Sequence, residues 1–599
     1  MLTSTAVTMC GIIGYIGSMN ASRIVLEGLK HLEYRGYDSV GFAGVLNGSL
    51  IVKKDVGKVD DVHAKLNFLE HNLNLAIGHT RWATHGRVTK TNAHPHIDCG
   101  RNIAIVHNGI IENYEELRKE LVSKGHVFRS KTDSEVAAHL IEEEMNNAAS
   151  FEEACFKAFS RLEGAYAILA IGRKDYKIVA IKKGSPLVIG LADHGSFAAS
   201  DIPAFINYTK KVVYLYDYDM VVLKPDPVFY NIENGNLVKV ERPVQSVEWD
   251  AEKARKGEFE HFMLKEIMEQ VDTVQRAAAQ DKKILEKIAN EIKRARGVFL
   301  VGCGSSYHAC LTASYVFSKV AREHVNVVLA SEFPNYEHFL TSRTLIIAVS
   351  QSGETYDVLE AIRAGKKRGS KIISVVNVMG SSLARESDAF LLMHAGPEIC
   401  VLSTKTYTSQ IALLNLLAYT LAGKYEEGRR RLKYLWNVIY YLTSANTRNK
   451  ISRLAEKLMD KQHIFCIGRG LQYPTAMEAA LKIKEASYIH AEAFAGGELK
   501  HGTIALIEEG TPCIVFVSEE SSREVLSNAI EIKSRGGYII GISPKNYEVF
   551  DFWIKVPECG TENPIVQIIP VQILAYQLAV LRGCDPDKPR NLAKSVTVK

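Results

Sequence analysis

A cysteine near the start of the chain is the first residue whose position could support catalysis. Cys10 follows Met9 directly and opens the glycine-rich apolar run CGIIGYIG. When a cysteine is the first residue of a chain, its thiol can attack a substrate while its own α-amine, with an ordinary pKa of about 7.7–8.0, acts as the base. A cysteine in an apolar run is more often a small buried side chain, so the assignment depends on the rest of the sequence.

Two short loops in the second half of the chain have the composition of anion-binding sites. GCGSS (302–306) and SQSGET (350–355) each lie between a β-branched run and a helical pattern. Hydroxyl groups, glycines and the N–H groups at a helix start together bind phosphate. A dinucleotide site is the alternative, but GCGSSY lacks the third glycine of GxGxxG, and no acidic residue ends the next strand. The sequence therefore favours a simple anion site.

These loops belong to a pattern that occurs twice. Beyond residue 260, short apolar runs alternate with helical stretches, which is typical of parallel α/β units. An interval of 166 to 168 residues separates three pairs of landmarks, which are Gly302 with Gly468, Ser350 with Ser518, and Arg368 with Arg535. Such agreement predicts a duplicated domain. The second copy carries SEESSR where the first has SQSGET, and its Glu519 and Glu520 would repel a phosphate, so we expect one anion site, in the first copy.

The first half of the chain predicts a different architecture. Residues up to about 240 alternate as strands do, with hairpin signals at Asn47-Gly48 and Asn234-Gly235, and helical patterns at 111–123 and 133–146 interrupt them. An antiparallel α+β domain fits this pattern, and the charged stretch after it has the composition of a connector. We predict a leader at 1–9 absent from the mature protein, domains at 10–240, 261–445 and 446–588, a linker at 241–260 and a C-terminal tail at 589–599.

Composition excludes several classes of function. The net charge of +5, from 73 basic and 68 acidic residues, is too small and too mixed to indicate a nucleic-acid or membrane partner. The ten cysteines show no CxxC pair and no clustered Cys/His spacing, so we predict reduced thiols, a cytosolic location and no metal site. No signal peptide is recognisable, and the most apolar helical stretch, taken as 410–423, is shorter than the roughly 20 residues that span a bilayer.

The first half closely resembles the glutaminase domain of the N-terminal-nucleophile amidotransferases. The resemblance rests on CGIIGYIG, LEYRGYDSVG (32–41), GHTRWATHG (78–86), NAHPH (92–96), HNGIIEN (107–113) and TDSE (132–135), in that order. It implies an αββα sandwich in which Cys10 attacks the side-chain amide of L-glutamine. The other implied roles are an oxyanion hole of Asn108 and Gly109, glutamine binding by Arg81, Thr84, His85 and Asp133, and an ammonia gate at Trp82. His94 and His96 are assigned no chemistry.

The second half resembles the sugar-isomerase domains that bind phosphosugars, and the whole chain resembles the glutamine:fructose-6-phosphate aminotransferases. SQSGET, STKTYTSQ (403–410), EAALKIKEASYIHAEAF (478–494), GELKHG (497–502) and PRNLAKSVTV (589–598) carry this resemblance. It implies a Schiff base at Lys594, proton transfer by Glu485, ring opening by His501 and a supporting cation at Lys482. The residues implied to hold the phosphate of D-fructose 6-phosphate are Ser305, Ser306, Ser350, Gln351, Ser352 and Thr355.

Three further expectations follow from the resemblance. It implies no cofactor, and a homodimer in which His501 serves the site of the partner copy. The family commonly has proline after KHG, where this chain has Thr503, so the backbone beside His501 could differ.

Two other enzymes, amidophosphoribosyltransferase and asparagine synthetase, share the glutaminase domain. This chain lacks the acidic loop of the first and the SGGxDS-type nucleotide loop of the second. A phosphosugar-sensing regulatory protein is the alternative of a different class. It is expected to contain a helix-turn-helix and to lack Lys594 or Glu485, and the sequence shows neither feature.

The chemistry expected of Cys10 makes a prediction about the start of the active protein. Eight residues and a methionine precede Cys10 in the sequence and would block its α-amine. We therefore expect glutamine-hydrolysing protein to begin at Cys10, either because translation starts at Met9 and that methionine is removed, or because the leader is cleaved. Intact-mass measurement on native protein tests this. A protein that hydrolyses glutamine while still beginning at Met1 contradicts it.

Overall fold

The computed structural model describes residues 10–81, 87–233, 235–247 and 256–596. The predicted leader and the residues Trp82, Thr84 and His85 lie outside these ranges. By contacts the chain divides into two compact units, Met1–Arg255 with Ala593–Lys599, and Lys256–Leu592. The boundary at Arg255 falls inside the predicted linker.

The described strands of the first unit form two antiparallel sheets. The strand order is β15-β11-β9-β10-β1-β4-β2-β3 in one sheet and β14-β13-β12-β8-β7-β6-β5 in the other. The predicted hairpin at Asn47-Gly48 is confirmed, and both residues have positive φ (49° and 74°), as a tight I′-type turn requires. β15 pairs with β11, so the start of the predicted linker extends the first sheet. The strands are β1 (Gly11–Gly17), β2 (Ser39–Leu46), β3 (Ser49–Val56), β4 (Leu75–Arg81), β5 (His96–Ile97), β6 (Ile103–Ile111), β7 (Gly164–Gly172), β8 (Ile178–Lys183), β9 (Val188–Ala192), β10 (Gly195–Ala199), β11 (Lys211–Tyr214), β12 (Asp219–Leu223), β13 (Val228–Glu233), β14 (Asn236–Lys239) and β15 (Gln245–Ser246).

Helices cover the outer faces of these two sheets. One apolar cluster joins α1 and α2 to the first sheet, a second joins α3 to α5 to the other, and a third fills the space between the sheets. The predicted αββα sandwich is therefore confirmed. The first predicted helix begins three residues later than expected, because Ile111 still pairs in β6. The helices are α1 (Ala21–Leu32), α2 (Val59–Leu66), α3 (Tyr114–Ser123), α4 (Glu135–Glu144) and α5 (Phe151–Ser160).

The second unit contains two parallel five-stranded sheets with the same topology. Their orders are β17-β16-β18-β19-β20 and β22-β21-β23-β24-β25, which confirms the predicted duplication. In this order the chain reverses direction across the sheet between β16 and β18 and between β21 and β23. The strands are β16 (Gly297–Gly302), β17 (Asn326–Leu329), β18 (Thr344–Ser350), β19 (Lys371–Val376), β20 (Ala389–Leu392), β21 (His463–Gly468), β22 (His490–Ala495), β23 (Pro512–Phe516), β24 (Tyr538–Ser543) and β25 (Phe552–Lys555).

Helices of both copies share one apolar core, in which α9, α12, α15 and α17 pack together. The helices of this unit are α6 (Phe262–Met268), α7 (Gln270–Ala277), α8 (Lys282–Arg294), α9 (Ser305–Val316), α10 (Tyr356–Lys367), α11 (Ser382–Glu386), α12 (Lys405–Leu421), α13 (Tyr425–Leu442), α14 (Ala445–Leu458), α15 (Gln472–Ser487), α16 (Ser522–Lys533) and α17 (Asn563–Leu581).

The most apolar helix is α17, so the expectation that 410–423 is the most apolar stretch is wrong. Within the described residues, Gly560–Leu581 alone is long and apolar enough to cross a bilayer by length and composition, and 83% of its most apolar window is buried. Two buried glutamines on this helix bond to protein groups: Gln567 donates to the Val517 carbonyl at 2.8 Å, and Gln572 accepts from Gln270 at 2.7 Å. Burial in the core accounts for the composition of α17 without a membrane.

Gly353, in the loop after β18, offers a test of local packing. Its φ is +65°, and an added Cβ would lie 2.1 Å from Ser381 Oγ. Gly369 has a similar φ of +77°, but there the nearest atom to an added Cβ lies 3.6 Å away. We expect Gly369→Ala to cost about 1–2 kcal/mol from backbone strain, and Gly353→Ala to cost about 1–3 kcal/mol more because of the clash. Urea denaturation measures both, and equal losses contradict the close approach.

Candidate active sites

The backbone carbonyl of Cys10 is held by a residue of the opposite sheet. Cys10 precedes β1 and is partly exposed, and its carbonyl accepts a hydrogen bond from Asn108 Nδ2 of β6 at 2.7 Å. Gly11, the next residue, pairs with Thr80, and a Cβ at Gly11 would lie 2.7 Å from Thr80 Oγ1. Close packing behind the thiol therefore fixes the backbone of Cys10 beside Asn108.

The backbone after Asn108 requires a glycine. Gly109 has a φ of +120°, and a Cβ there would lie 2.0 Å from the Ala165 carbonyl of β7. Asn108 itself is buried, with 4% of its surface exposed. The structure thus brings together Cys10, Asn108 and Gly109, which the sequence analysis grouped as nucleophile and oxyanion hole.

Two oppositely charged side chains of the same unit are buried beside this group. Arg81 ends β4, and burial lowers the pKa of its guanidinium while the charges of Cys10, Asp38 and Asp133 act in the opposite direction. The Asp133 carboxylate accepts a hydrogen bond from the Ile111 N–H at the end of β6, at 2.9 Å. A cation and an anion near one thiol can together bind a zwitterionic amino acid.

In the second unit, the two predicted anion-binding loops follow β16 and β18, which are neighbours at the point where the strand order reverses. This is the place where open parallel sheets bind ligands. The Ser350 hydroxyl lies 2.9 Å from Thr355 Oγ1 and accepts the Gly353 N–H at 3.1 Å, while Ser352 Oγ accepts the Glu354 N–H at 3.1 Å. Thr355 is the N-cap residue of α10, but its side chain makes no capping hydrogen bond. The backbone carbonyl of Gln351 accepts the Asn377 N–H.

Ser305 and Ser306 begin α9 and are held by other parts of the unit. Ser305 Oγ donates to Glu478 at 2.8 Å, and Ser306 Oγ accepts from Gln410 Nε2 at 3.0 Å. Because Glu478 lies on α15 of the second copy, the anion loop of the first copy bonds directly to the second copy.

Helix α15 carries three charged side chains on one face. Lys482 Nζ lies 2.6 Å from Glu485 Oε2 and 3.5 Å from Glu478 Oε1. Lys482 is only 1% exposed, which by itself would lower its pKa, but the Glu485 and Glu478 carboxylates outweigh burial and raise the pKa above its ordinary value. The charge of Lys482 is therefore favoured in this position, and its ion pair orients the Glu485 carboxylate.

His501 and Lys594 lie outside helix α15, in the segments that follow β22 and α17. His501 ends a short 3₁₀ helix, Glu498–His501, and its side chain is exposed. Thr503 begins the following 3₁₀ turn, a position that also tolerates proline. Lys594 is partly buried, and the residues from Ala593 onward group with the first unit, whereas Glu485 belongs to the second.

The tail is anchored just before Lys594. The Arg590 N–H donates to Tyr488 OH at 2.7 Å, and its guanidinium lies 4.2 Å from the centre of the Tyr488 ring. Tyr488 is the residue that ends α15, in the left-handed conformation. The segment that leads to Lys594 is thereby attached to the helix that carries Glu485.

Both units match families of known proteins. Residues 79–207 match the glutamine amidotransferase domain family, and residues 291–420 and 457–582 each match the SIS domain family. The glutamine–fructose-6-phosphate aminotransferases [isomerizing] of Pyrococcus horikoshii and Thermococcus kodakarensis are 45% and 46% identical to the chain, each over 99% of this chain and 100% of the relative. This chain belongs to the glutamine–fructose-6-phosphate aminotransferase [isomerizing] family.

A solved structure gives the same assignment for the second unit. The C-terminal domain of glucosamine-fructose-6-phosphate aminotransferase from Francisella tularensis is 34% identical to the matched part, with a TM-score of 0.52. The match covers 56% of this chain and all of that one. The two SIS domains of this family member are therefore the two parallel sheets that share a core.

Two residues at the SIS site were missed by sequence reasoning. Glu478, with no exposed surface, bonds to Ser305 and also lies 2.8 Å from His308 Nδ1. The spacing of Glu478 and Lys482, four residues apart on a helix, was a signal that could have revealed Glu478. No comparable sequence signal existed for His308, because its partner is 170 residues away in the chain.

Buried histidines support the glutaminase site. The ring centres of His79 and His94 are 3.9 Å apart, His79 Nε2 lies 2.9 Å from the His107 carbonyl, and His107 Nδ1 lies 2.8 Å from Ser134 Oγ. Burial lowers the pKa of His79 to about 3 and holds those of His94 and His96 well below their ordinary value. These side chains are therefore neutral, and they link β4, β6 and the loop that carries Asp133.

Such histidines predict acid sensitivity. An unfolded histidine takes up a proton near pH 6.5, whereas His79 stays neutral in the fold down to about pH 3, so the unfolded state binds more protons between these values. Stability must therefore fall as pH decreases through this window, by about 1.4 kcal/mol per pH unit for each such histidine. Urea denaturation from about pH 7.5 to about pH 4.5 measures the slope.

The variant His94→Leu tests the source of this slope. Neither ring nitrogen of His94 has a hydrogen-bond partner among the described residues, so leucine removes the titration without leaving a polar group unpaired. We expect the dependence on pH to flatten. His71→Leu, at a side chain with 34% of its surface exposed, serves as the control and should retain the slope. An unchanged slope in His94→Leu rejects the explanation.

Proposed function

We propose that this protein hydrolyses L-glutamine, transfers the ammonia to D-fructose 6-phosphate and isomerises the product to glucosamine 6-phosphate. The observation that carries the proposal is the presence of two suitable sites in one chain, which aligns over 99% of its length with a glutamine–fructose-6-phosphate aminotransferase. One site has buried charges and an amide around a thiol, and the other has a hydroxyl-lined loop beside a buried lysine–glutamate pair. The first site suits amide hydrolysis, and the second suits a sugar phosphate.

In the glutaminase half, Cys10 is the nucleophile. Its sulfur attacks the side-chain amide carbon of glutamine, and Asn108 Nδ2 with the Gly109 N–H stabilises the oxyanion, a contact worth about 2.7–4 kcal/mol of barrier. The carbon–nitrogen bond then breaks, ammonia leaves with a proton returned by the base, and water hydrolyses the thioester to glutamate. The base is the α-amine of Cys10.

The charges around Cys10 orient the substrate. Arg81 presents a planar two-donor fork to the α-carboxylate of glutamine, and Asp133 accepts from its α-ammonium. Asp133 is already tied to the Ile111 N–H, so its carboxylate is positioned before substrate arrives. The family resemblance assigns glutamine binding to Thr84 and His85 and an ammonia gate to Trp82, three residues outside the described ranges. A gate is needed because the ammonia must reach the sugar without being protonated in water.

In the SIS half, the phosphate is bound by hydroxyls and backbone N–H groups at the strand ends. The set consists of Ser305, Ser306, Ser350, Gln351, Ser352 and Thr355. The Ser350–Thr355 hydrogen bond, with the bonds that Ser350, Ser352 and Ser306 accept from Gly353, Glu354 and Gln410, supports a loop that is already shaped before the sugar binds. Once His501 has opened the ring, Lys594 condenses with the C2 ketone to a Schiff base, with loss of water. Ammonia then adds to the C2 carbon of this Schiff base and expels the Lys594 amine, so that the nitrogen from glutamine remains at C2. Glu485 moves the proton between C1 and C2, and Lys482 holds its carboxylate in place.

Assembly and location extend the same proposal. An exposed His501 fits a homodimer in which this residue serves the site of the partner copy. None of the ten cysteines, all of which lie in the described ranges, forms a disulfide, which supports a cytosolic location. Light scattering of the purified protein tests the dimer, and a monomer that retains full synthesis argues against a shared site.

Glutamine labelled with ¹⁵N in its amide tests the proposed function. Mass spectrometry of protein incubated with this glutamine and fructose 6-phosphate should reveal ¹⁵N-labelled glucosamine 6-phosphate together with glutamate. We expect Cys10→Ala to form neither product from glutamine. A protein that makes glutamate without amino sugar, under conditions where both substrates saturate, contradicts the synthase assignment.

Variants of α15 separate the two half-reactions. Glu485→Gln keeps the shape of the side chain but removes the proton acceptor, so we expect amino-sugar formation to fall by about 100- to 10,000-fold while glutamate still forms. Lys482→Met should produce a smaller loss of the same kind, because Glu485 keeps its charge but loses its orientation. Lys484→Met, an exposed lysine on the same helix, is the matched control and should behave as the wild type.

A further inference from the structure

A cluster of metal-ligating side chains lies in the first unit and takes no part in the proposed reaction. Its members are Cys99, His126, His139 and Glu142, and one ligand atom from each lies within 4.8 Å of the ligand atoms of all the others. Cys99 lies in the turn between β5 and β6, His126 in the loop after α3, and the other two on α4. Three separate segments therefore converge on one point.

The distances between the ligand atoms fit a tetrahedral metal site. Cys99 Sγ lies 3.6 Å from His139 Nδ1 and 3.9 Å from His126 Nδ1. Zinc bonds of about 2.3 Å to sulfur and about 2.0–2.1 Å to nitrogen, at tetrahedral angles, require a sulfur–nitrogen separation of about 3.6 Å. Glu142 Oε2 lies 3.0 Å from His126 Nδ1 and 3.3 Å from His139 Nδ1, against about 3.3 Å required.

The groups around the cluster resemble the outer shell of a zinc site. The far nitrogens of both rings lie near carboxylates: His126 Nε2 is within hydrogen-bond distance of Glu143 at 3.3 Å, and His139 Nε2 is 3.6 Å from Glu135, an ion-pair distance without a hydrogen bond. Carboxylates in this position orient metal-ligating histidines and increase their basicity. In addition, the Val127 N–H points at Cys99 Sγ at 3.3 Å, as a donor to a thiolate would.

The ligating carboxylate is also held in place. Glu142 Oε2 accepts the Cys99 N–H at 3.0 Å, and Glu142 Oε1 accepts the Gly100 N–H at 2.9 Å. His139 is almost fully buried, whereas Cys99, His126 and Glu142 are partly exposed, so a metal ion can reach the cluster from solvent. Four protein ligands characterise structural sites, which have no open position for substrate.

We propose that Cys99, His126, His139 and Glu142 bind one zinc ion, or a divalent ion of similar softness, with a structural role. A thiolate and two imidazoles disfavour magnesium and calcium, which prefer oxygen ligands. The thiol gives up its proton to solvent when the metal binds. The ion joins the turn before β6 to α4, and Asp133 lies two residues before that helix, so the metal stabilises the scaffold of the amino-acid pocket.

The rival explanation is a cluster held by hydrogen bonds alone, and metal analysis of the full-length protein distinguishes the two. Protein produced with zinc in the medium, purified without metal affinity and dialysed, should contain about one zinc per chain by inductively coupled plasma mass spectrometry. Replacement by Co²⁺ should produce the strong visible absorption of tetrahedral cobalt and a thiolate-to-cobalt band in the near ultraviolet. Folded wild-type protein that binds neither metal overturns the proposal.

Variants locate the ion. Cys99→Ser and His126→Gln should each lose the bound zinc, and Cys99→Ser should lose the thiolate band. Cys584→Ser, at another partly exposed thiol, is the matched control and should keep both. A strong chelator should lower the thermal midpoint of the wild type by several degrees but leave that of Cys99→Ser unchanged. Should Cys99→Ser not fold, the cobalt spectrum of the wild type decides alone. Zinc content equal to wild type in folded Cys99→Ser rejects the site.

Discussion

The second unit depends on a buried cation. Lys482 lies in the core with 1% of its surface exposed, and a charge in that position is tolerated only when it is paired. Glu485 and Glu478 supply the pairing from the same helix, and Glu478 also accepts from Ser305 of the other copy. The charge that positions the proposed catalytic carboxylate therefore also fastens the proposed phosphate loop, so a change at either end is transmitted to the other. Removing Lys482 would leave two carboxylates, one of them with no exposed surface, without their shared cation.

The first unit solves the problem of buried polar groups differently. Around Cys10 the core contains several imidazoles that burial keeps neutral, and these pack against each other as rings. Neutral rings avoid the cost of a buried charge but still offer hydrogen bonds to backbone carbonyls and hydroxyls. The charged groups, Arg81 and Asp133, are thereby left for the pocket, where a zwitterionic substrate can neutralise both.

Sequence reasoning predicted the local features well and the long-range ones poorly. The sheets and the duplication were predictable because each depends on residues close together in the chain or on a recurring pattern. The grouping of Cys10 with Asn108, 98 residues away, came instead from the family resemblance. Glu478 with His308, and Cys99 with His126 and His139, were not, because each group is assembled by tertiary packing across 27 residues or more. Helix α17 was underestimated because its glutamines interrupt an otherwise apolar run, although they bond inside the core.

The two SIS domains have the same topology but differ in the loop at the proposed ligand position. Both copies keep the same strand order, and therefore the same position for a ligand loop at the strand ends. In the second copy, that loop carries Glu519 and Glu520; Lys319 pairs with Glu520, and Ser518 Oγ donates to Gln472. The second loop is thus satisfied within the protein, while the helix that follows β21 contributes Glu478, Lys482 and Glu485 to the first copy. On the proposed assignment, one copy supplies the phosphate loop and the other the charged helix, and the Ser305–Glu478 hydrogen bond joins them, so neither copy forms the proposed site alone.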